Sequence, residues 1–307
     1  MIKYIDGYNK GGVELGITLV LISTFLFSLS SYLGKIVTNT TSMSGVITSF
    51  SRFFIGAVFM FIYMLATKKS FKPSGFRFIV GRSIFSSLGI IFVSAALNYT
   101  TITNANMLNM TYPIFVVLVA PILLKEKIKK STYFYLIAMM LGSYIVADPQ
   151  FGNINRGDLL GFVSAIFTGI SILSLKEARK SNEGYLIVFY VMLIGTIINI
   201  PFSIRDIVNF DYSALSYVLI SGVIGFLAQI FLTEGYKYVD SSIGSLVSSS
   251  RIVFSAILGV LFLNEPFNLR IILGILLIGG SLVGISGYLE KRKERRMTDN
   301  LLNKGGP

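Results

Sequence analysis

The sequence predicts an all-α integral membrane protein with ten transmembrane helices, arranged as two inverted five-helix repeats. The 307 residues are 53% hydrophobic and 14% charged, with a mean hydropathy of +0.72, whereas a soluble domain carries about 25% charged residues. Apolar runs of roughly 20 residues, the length that crosses a bilayer as a helix, recur along the chain. The second half of the chain also repeats the pattern of the first.

Ten apolar runs are separated by short connectors, and each must be helical because lipid offers no partner for open backbone groups. The first run begins near Gly16 and has no small-residue cleavage site after it, so we expect it to stay in the membrane. The predicted spans 1 to 10 cover residues 16–36, 46–66, 78–98, 103–124, 132–148, 158–176, 185–205, 214–235, 241–263 and 269–289.

Lysine and arginine cluster in alternate connectors and in both tails, whereas the remaining connectors hold only Arg156, Arg205 and Arg270. By the positive-inside rule, the clusters and both termini are cytoplasmic, so the chain is a multi-pass protein of the inner (cytoplasmic) membrane. The net charge of +12 is thus explained as a topology signal, and nucleic acid is not expected as a partner. The expected partners are the lipid bilayer and a small-molecule metabolite, and a homodimer is left open.

The residue inventory excludes several kinds of chemistry. The chain has no cysteine and no histidine, which removes disulfides, thiol chemistry, imidazole catalysis and most zinc sites. Paired carboxylates or a serine–base pair at one membrane depth are not found. We therefore expect no enzyme activity, no catalytic residue, no metal and no cofactor.

The repeat appears when the chain is shifted by 139 residues, which aligns 88–126 with 227–265 without a gap. Each unit holds five spans, an odd number, so the second unit must enter the membrane upside down. Inverted repeats around a midplane site are typical of secondary transporters. The predicted division is a cytoplasmic tail (1–15), a first repeat (16–148), an external linker (149–157), a second repeat (158–289) and a basic cytoplasmic tail (290–307).

Five stretches in both halves carry a family resemblance: "SRFFIGAVF" (51–59), "ALNYTTITNANMLNMTYPIFVVLVAPILLKEKI" (96–128), "IVFYVMLIGTIINIPFSI" (187–204), "LAQIFLTEGYKYVDSSIGSLV" (227–247) and "FSAILGVLFLNEPF" (254–267). Together they resemble the drug/metabolite transporter superfamily of the EamA type. The resemblance implies a ten-helix inner-membrane carrier of small organic metabolites. It also implies a cavity lined mainly by helices 3, 4, 8 and 9, with help from 1, 2, 6 and 7. Many relatives have an aromatic or acidic residue near position 251, where this chain has "SSSRIVF".

Arg251 lies near the middle of span 9, where a charge costs roughly 2.5–3.5 kcal/mol and normally faces a cavity or a partner. Its guanidinium keeps its proton, and its side chain is too short to reach water from that depth. We predict that it binds a carboxylate or phosphate of the substrate. The alternative is an ion pair, or a contact with a helix C-terminus, that holds the bundle together.

Small and polar residues share a face with Arg251 because they recur at steps of three or four: Ser241, Gly244, Ser245, Ser248, Ser255 and Gly259. Such a face either lines a wet cavity or packs closely against another helix. On span 4, Tyr112 aligns with Arg251 in the repeat, and Pro113 should kink or loosen the helix. The predicted substrate-binding residues are Arg251, Ser248, Ser255, Tyr112, Asn109, Gln229 and Arg52.

Other ionisable residues lie nearer the span ends. Glu234 and Arg82 are predicted as an inner gate or ion pair, with Lys237 as the other possible partner of Glu234. Lys35 is close enough to the outer end of span 1 to reach water. Glu126, which ends span 4, is expected to bind a backbone N–H or a basic residue at the start of span 5, and its counterpart Glu265 is expected to do so at span 10.

Within the spans, Lys35, Arg52, Arg82 and Arg251 are opposed by one clear acid, Glu234. This surplus of cations favours an anionic or zwitterionic solute. The predicted function is a secondary transporter that moves a small metabolite, amino-acid-like or otherwise anionic or zwitterionic, by alternating access. The alternatives are an exporter of drugs or toxic aromatic compounds and a non-transporting membrane receptor or scaffold.

Overall fold

Helices provide the regular structure throughout the described chain. The computed structural model describes residues 10–147, 155–263 and 268–285. A 3₁₀ turn, Tyr212–Ala214, leads directly into the helix that begins at Leu215. The helices in chain order are α1 (Lys10–Thr40), α2 (Val46–Ala66), α3 (Phe76–Ala96), α4 (Ile102–Asn109), α5 (Tyr112–Leu123), α6 (Lys130–Ala147), α7 (Arg156–Ala178), α8 (Gly184–Val208), α9 (Leu215–Tyr238), α10 (Ser241–Ser248), α11 (Arg251–Phe262) and α12 (Leu269–Ile285).

Eight segments of the described residues are long and apolar enough to cross a bilayer, with α4–α5 and α10–α11 each counting as one segment. Helices α6 and α12 are shorter, at 18 and 17 residues, and pack against each other. The predicted all-α membrane fold is confirmed, while the count of ten spans stays a prediction. The Asp148 end of span 5 and residues 286–289 of span 10 lie outside the described residues.

Spans 4 and 9 are each broken into two helices at positions related by the repeat. The first break lies at Met110 and Thr111, shortly before Pro113, and the second lies at Ser249 and Ser250. The second break contains no proline. The predicted span 241–263 is found as one apolar segment, Ser241–Phe262, but its helix is interrupted between Ser248 and Arg251. Serine side chains that bond to the backbone bend helices, and the Ser248 hydroxyl donates to the Gly244 carbonyl at 2.9 Å. The second break therefore lies in a run of three serines, whereas the first lies beside a proline.

Helix packing follows the repeat. Helix α1 packs along α9, and the repeat-related pair α3 and α7 packs in the same way. A Cβ atom on Gly16 would lie 3.1 Å from the Gly235 carbonyl oxygen, and one on Gly157 would lie 3.2 Å from that of Ala96. Equivalent small residues thus permit equivalent close crossings in the two helix pairs.

The connectors meet at two ends of the bundle. At the first, which we call the basic end, the Ser74 N–H donates to the Asn182 side chain at 2.8 Å. At the second, which we call the opposite end, the Gly45 N–H donates to the Asn98 side chain at 3.2 Å. The basic end comprises connectors 67–75, 124–129, 179–183 and 239–240, and the opposite end comprises connectors 41–45, 97–101 and 209–211.

Glu126 caps a helix other than the expected one. Its carboxylate accepts hydrogen bonds from the backbone N–H and hydroxyl groups of Ser241 and Ser242, at 2.7–3.3 Å. These serines form the first turn of α10, where unpaired N–H groups and the helix dipole attract an anion. The expectation that Glu126 binds the start of span 5 is therefore wrong. Glu265 lies outside the described residues.

Candidate functional site

A polar cavity lies at the centre of the bundle, between the α1–α9 pair and the α3–α7 pair. The breaks in spans 4 and 9 both border it, because Met110, Tyr112, Ser248 and Arg251 are among its lining residues. Its other polar and aromatic lining residues are Thr24, Phe27, Arg52, Arg82, Ser86, Asn109, Thr168, Ser171 and Gln229.

Two guanidinium groups lie against one aromatic ring in this cavity. The Cζ atoms of Arg251 and Arg52 are each 5.4 Å from the centre of the Phe27 ring. Arg251 also donates from Nη2 to the Ser31 hydroxyl at 2.7 Å, and Arg52 also lies over the Phe53 ring at 5.6 Å. Cation–π contacts of this kind hold the cations in place without neutralising them.

A third guanidinium, that of Arg82, enters the cavity from α3. Its Nη1 donates to the Ser171 hydroxyl on α7 at 2.6 Å, and this hydroxyl donates back to the Arg82 carbonyl at 3.1 Å. Arg82 is 2% exposed. Its side chain is therefore held inside the protein and does not extend to the membrane surface.

The three arginines have no acidic partner among the described residues. No carboxylate of residues 10–147, 155–263 or 268–285 lies within ion-pair distance of Arg52, Arg82 or Arg251, and the Nε of each lacks a hydrogen-bond partner there. The expected pairing of Glu234 with Arg82 or Lys237 is wrong. Glu234 lies at the basic end and pairs with Arg179 at 3.2 Å. Position along a helix sets a residue's depth but does not identify the neighbouring helix that it faces.

Amide and hydroxyl groups complete the cavity wall. Asn109 donates from Nδ2 to the hydroxyls of Ser164 and Thr168, at 2.8 and 3.1 Å. Gln229 is 1% exposed, and its Nε2 lies 3.4 Å from the Thr233 hydroxyl. Ser248 and Tyr112 also line the cavity. The structure thus brings together six of the seven predicted substrate-binding residues.

Ser255 is the predicted residue that does not line the cavity. Its hydroxyl accepts a hydrogen bond from Asn106 at 2.9 Å and lies 3.2 Å from the Ser28 hydroxyl. These contacts link α11 to α4 and α1. Of the two alternatives given for the polar face of span 9, the one that applies at Ser255 is therefore packing against other helices, whereas Ser248 lines the cavity.

A smaller polar pocket adjoins the cavity on the side of the opposite end. Arg52 and Arg251 line both spaces, and the smaller one has a volume of about 20 Å³. Its remaining walls are mainly hydroxyl groups, from Ser30, Ser31, Thr48, Ser49 and Ser94. The two arginines therefore lie between the central cavity and a polar route towards the opposite end.

The central cavity can bind anions, but it is narrow in this conformation. Its volume is about 70 Å³, enough for several waters at roughly 10–15 Å³ each. Three guanidinium groups, each able to donate a fork of hydrogen bonds, match a carboxylate or phosphate. An organic solute needs more space, so the surrounding helices must separate to admit it.

Sequence reasoning missed several lining residues that carry no charge. Phe27 contacts both arginines, yet one phenylalanine among 25 has no distinguishing pattern. Thr168 and Ser171 on α7 did carry a signal. They follow Ser164 at steps of four and three, the spacing that marked the polar face of span 9.

Comparisons with known proteins agree with this architecture. A model of the EamA-like transporter family matches the chain twice, over residues 14–147 and 155–287. The chain is 25% identical over 269 residues to the pseudopaline exporter CntI of Pseudomonas aeruginosa, covering 87% of this chain and 94% of that one. It is 23% identical over 288 residues to solute carrier family 35 member G1 of Homo sapiens, covering 88% and 78%. One solved crystal structure is similar in fold, with a TM-score of 0.67 at 17% identity, covering 92% of this chain and 99% of that one.

Proposed function

Because this chain belongs to the EamA-like transporter family, and is thus a multi-pass membrane transporter, we propose that it carries a small organic anion or zwitterion. Transport is across the cytoplasmic membrane, by alternating access. One observation carries the choice of solute. The guanidinium groups of Arg52, Arg82 and Arg251 line a single cavity, and no acidic side chain is among its described lining residues.

The energetic cost of these arginines supports a functional role. Each charge in the membrane interior is expensive, and such residues typically mark substrate or ion pathways. A carboxylate or phosphate on the solute would supply the counter-charge that the described protein lacks around them. Arg251 and Arg52 are held by aromatic and hydroxyl contacts, so their guanidinium groups are already positioned before the anion arrives.

The remaining lining groups favour a solute with a second polar end. Asn109, Tyr112 and Gln229 line the same cavity from α4, α5 and α9 and offer amide and hydroxyl groups. Amino-acid-like and hydroxy-acid solutes combine a carboxylate with such hydrogen-bonding groups. The name of the Pseudomonas relative, a pseudopaline exporter, makes outward movement the first direction to test.

The test uses purified protein and a panel of carboxylates, phosphates and matched neutral and cationic compounds. An anion that binds should raise the melting temperature, and the same anion should cross proteoliposomes that contain the protein. Arg251→Ala should weaken its binding by about 10- to 100-fold, since it removes a charged hydrogen-bond donor. Arg251→Lys should recover only part of the affinity, because lysine keeps the charge and loses the fork.

Arg77→Ala is the matched control. Arg77 also lies over a phenylalanine ring, at 4.6 Å from that of Phe78, but it is exposed at the basic end. Binding by this variant should equal that of the parent chain. Preference for cationic over anionic compounds, or unchanged anion binding in both Arg251 variants, would contradict the proposal.

A further inference from the structure

Lys35 on α1 holds the turn that follows α3. Its ammonium group donates to the carbonyl oxygens of Leu97 and Thr100, at 2.8 and 3.0 Å. Leu97 is the C-terminal cap of α3, and Thr101 begins α4 as its N-terminal cap. A lysine at the carbonyl end of a helix satisfies free acceptors and opposes the helix dipole. This contact lies at the opposite end of the bundle.

Lys176 on α7 makes the corresponding contact at the basic end. Its ammonium group donates to the carbonyl oxygen of Val239 at 2.6 Å and lies 3.8 Å from a carboxylate oxygen of Asp240. Val239 is the C-terminal cap of α9, and Asp240 precedes α10 as its N-terminal cap. The side chain of Lys176 is 14% exposed, so the contact is largely shielded from water.

The two lysine contacts are equivalent under the internal repeat. Lys35 and Lys176 have the same separation as residues 14 and 155, where the two family matches begin. Their acceptors Thr100 and Val239 differ by 139 positions, the shift of the repeat in that region. Two equivalent bonds at opposite ends of an inverted repeat are what a transporter needs to close either side of one cavity.

Each lysine joins the two helix pairs that enclose the cavity. Helix α1 packs along α9 and α3 packs along α7, with the cavity between the pairs. Lys35 ties the α1–α9 pair to the end of α3, and Lys176 ties the α3–α7 pair to the end of α9. Separating the pairs at either end must therefore break the lysine contact at that end.

From this geometry we propose that Lys35 and Lys176 are the two gating residues of the carrier. Lys35 closes the cavity towards the opposite end, and Lys176 closes it towards the basic end. Both contacts are formed in this structure, which agrees with the cavity volume of about 70 Å³. The inference rests on the proposed alternating access, and it assigns one of the two repeat-related lysine contacts to each end. At the basic end, the Arg179–Glu234 pair also joins the end of α7 to α9.

The test measures access to the cavity without any solute. The chain has no cysteine, so single reporter cysteines give a clean signal. Ser94→Cys reports on the pocket beside the Lys35 contact, and Leu232→Cys reports on the cavity wall towards the basic end. Both positions are equally buried, each 7% exposed. A hydrophilic maleimide is applied to purified protein, and the rate of labelling is measured.

Methionine replaces each lysine because it retains a long apolar side chain and removes the donor. Lys35→Met should raise the labelling rate of Ser94→Cys by roughly tenfold and leave that of Leu232→Cys unchanged, as expected for loss of a charged hydrogen bond. Lys176→Met should give the reverse pattern. Lys35→Arg and Lys176→Arg, which keep a charged donor, should stay near the parent rates.

Lys180→Met is the matched control. Lys180 lies two residues after the end of α7, the helix that carries Lys176, and its half-exposed side chain pairs with Glu177. Its labelling rates should equal those of the parent. Unchanged labelling in both lysine variants, or equal acceleration of both reporters by one variant, would overturn the gating assignment. The labelling assay needs no anion. If the substrate proposal fails, each lysine variant should still accelerate only the reporter at its own end, so this failure is distinguishable from failure of the gating assignment.

Discussion

At the scale of single residues, Glu126 connects the two halves of the chain through one carboxylate. It lies in the first repeat, just after α5, and binds the first turn of α10 in the second repeat. Four donors converge on it, two from the backbone and two from hydroxyls. The charge of the carboxylate and the N-terminal end of the helix dipole reinforce each other.

Glu126→Gln should lower the free energy of unfolding by about 1–3 kcal/mol, because an amide replaces a charged acceptor and directs an N–H group at other donors. Thermal unfolding in detergent measures the change. Glu177→Gln makes the same substitution in an exposed pair with Lys180, where a loss below about 1 kcal/mol is expected. Equal melting temperatures for the two variants would show that the cap contributes no more than a surface ion pair.

The arginines of the cavity could be predicted from the sequence because each interrupts an apolar run. Arg52 and Arg251 lie well inside their predicted spans, and the depth of a residue in the membrane follows from the boundaries of its span. Partners could not be predicted in the same way. Glu234 pairs with Arg179 and Glu126 with α10 because neighbouring helices are brought together by the fold, and a single-helix pattern contains no information about its neighbours.

At the scale of helices, α6 and α12 meet through facing glycines. A Cβ atom on Gly274 would lie 2.6 Å from the carbonyl oxygen of Gly142, and one on Gly142 would lie 3.0 Å from that of Gly274. Small residues let membrane helices approach closely, so that packing and weak hydrogen bonds hold the pair together. Neither helix contributes a residue to the described lining of the central cavity.

Gly274→Ala should force α6 and α12 apart and destabilise the protein by about 1–3 kcal/mol, the usual range for overpacking. Gly279→Ala on the same helix is the control, since nothing lies within 4 Å of its added methyl group. That control should be neutral, or more stable by up to about 1 kcal/mol from helix propensity. Both are measured as melting temperatures in one detergent, and a fall in the control alone would contradict the packing.

Helix positions were predictable to within a few residues, while the break in span 9 was not. Pro113 marks the first break because proline cannot continue the hydrogen-bond ladder. At Ser249 and Ser250 the backbone bonds run to residues three positions earlier, at 3.0 and 3.1 Å, which marks a local tightening of the helix. Serine is tolerated within helices. A run of serines therefore does not by itself predict where the helical hydrogen-bond pattern is interrupted.

At the scale of the whole molecule, charge is distributed unequally between the two ends. The connectors of the basic end hold most of the lysines and arginines of the described loops, including Lys68, Lys69 and Lys72 between α2 and α3. The described connectors of the opposite end, 41–45, 97–101 and 209–211, hold none. Cytoplasmic loops carry this excess in membrane proteins, so the basic end should face the cytoplasm.

Single cysteines can test this orientation in intact cells. Ser42→Cys and Asn209→Cys, both exposed at the opposite end, should react with an impermeant maleimide added outside. Ser70→Cys and Ser181→Cys, exposed at the basic end, should react only after the membrane is opened. Labelling of Ser42→Cys and Ser70→Cys from the same side would contradict the crossing of α2.

The repeat was the part of the whole molecule that the sequence predicted best. A shift of 139 residues placed Tyr112 over Arg251, and both residues flank a helix break beside the same cavity. The volume of that cavity could not be predicted, because it depends on how far the helix pairs are separated in one conformation. The choice of substrate could not be predicted for the same reason, because it depends on side-chain rotamers and on the spacing of the helices around the cavity.

The arginines around the Phe27 ring have a kinetic consequence for the transport cycle. When no anion is bound, these two charges and that of Arg82 share one cavity of low dielectric constant, and with both ends closed only a few waters can screen them from one another. An anion in the cavity offsets this repulsion. The protein with an anion bound should therefore switch between its two open conformations faster than the empty protein. The return of the empty protein is then expected to be the slow step of the cycle. We therefore expect counterflow of two solutes to be faster than net movement of one.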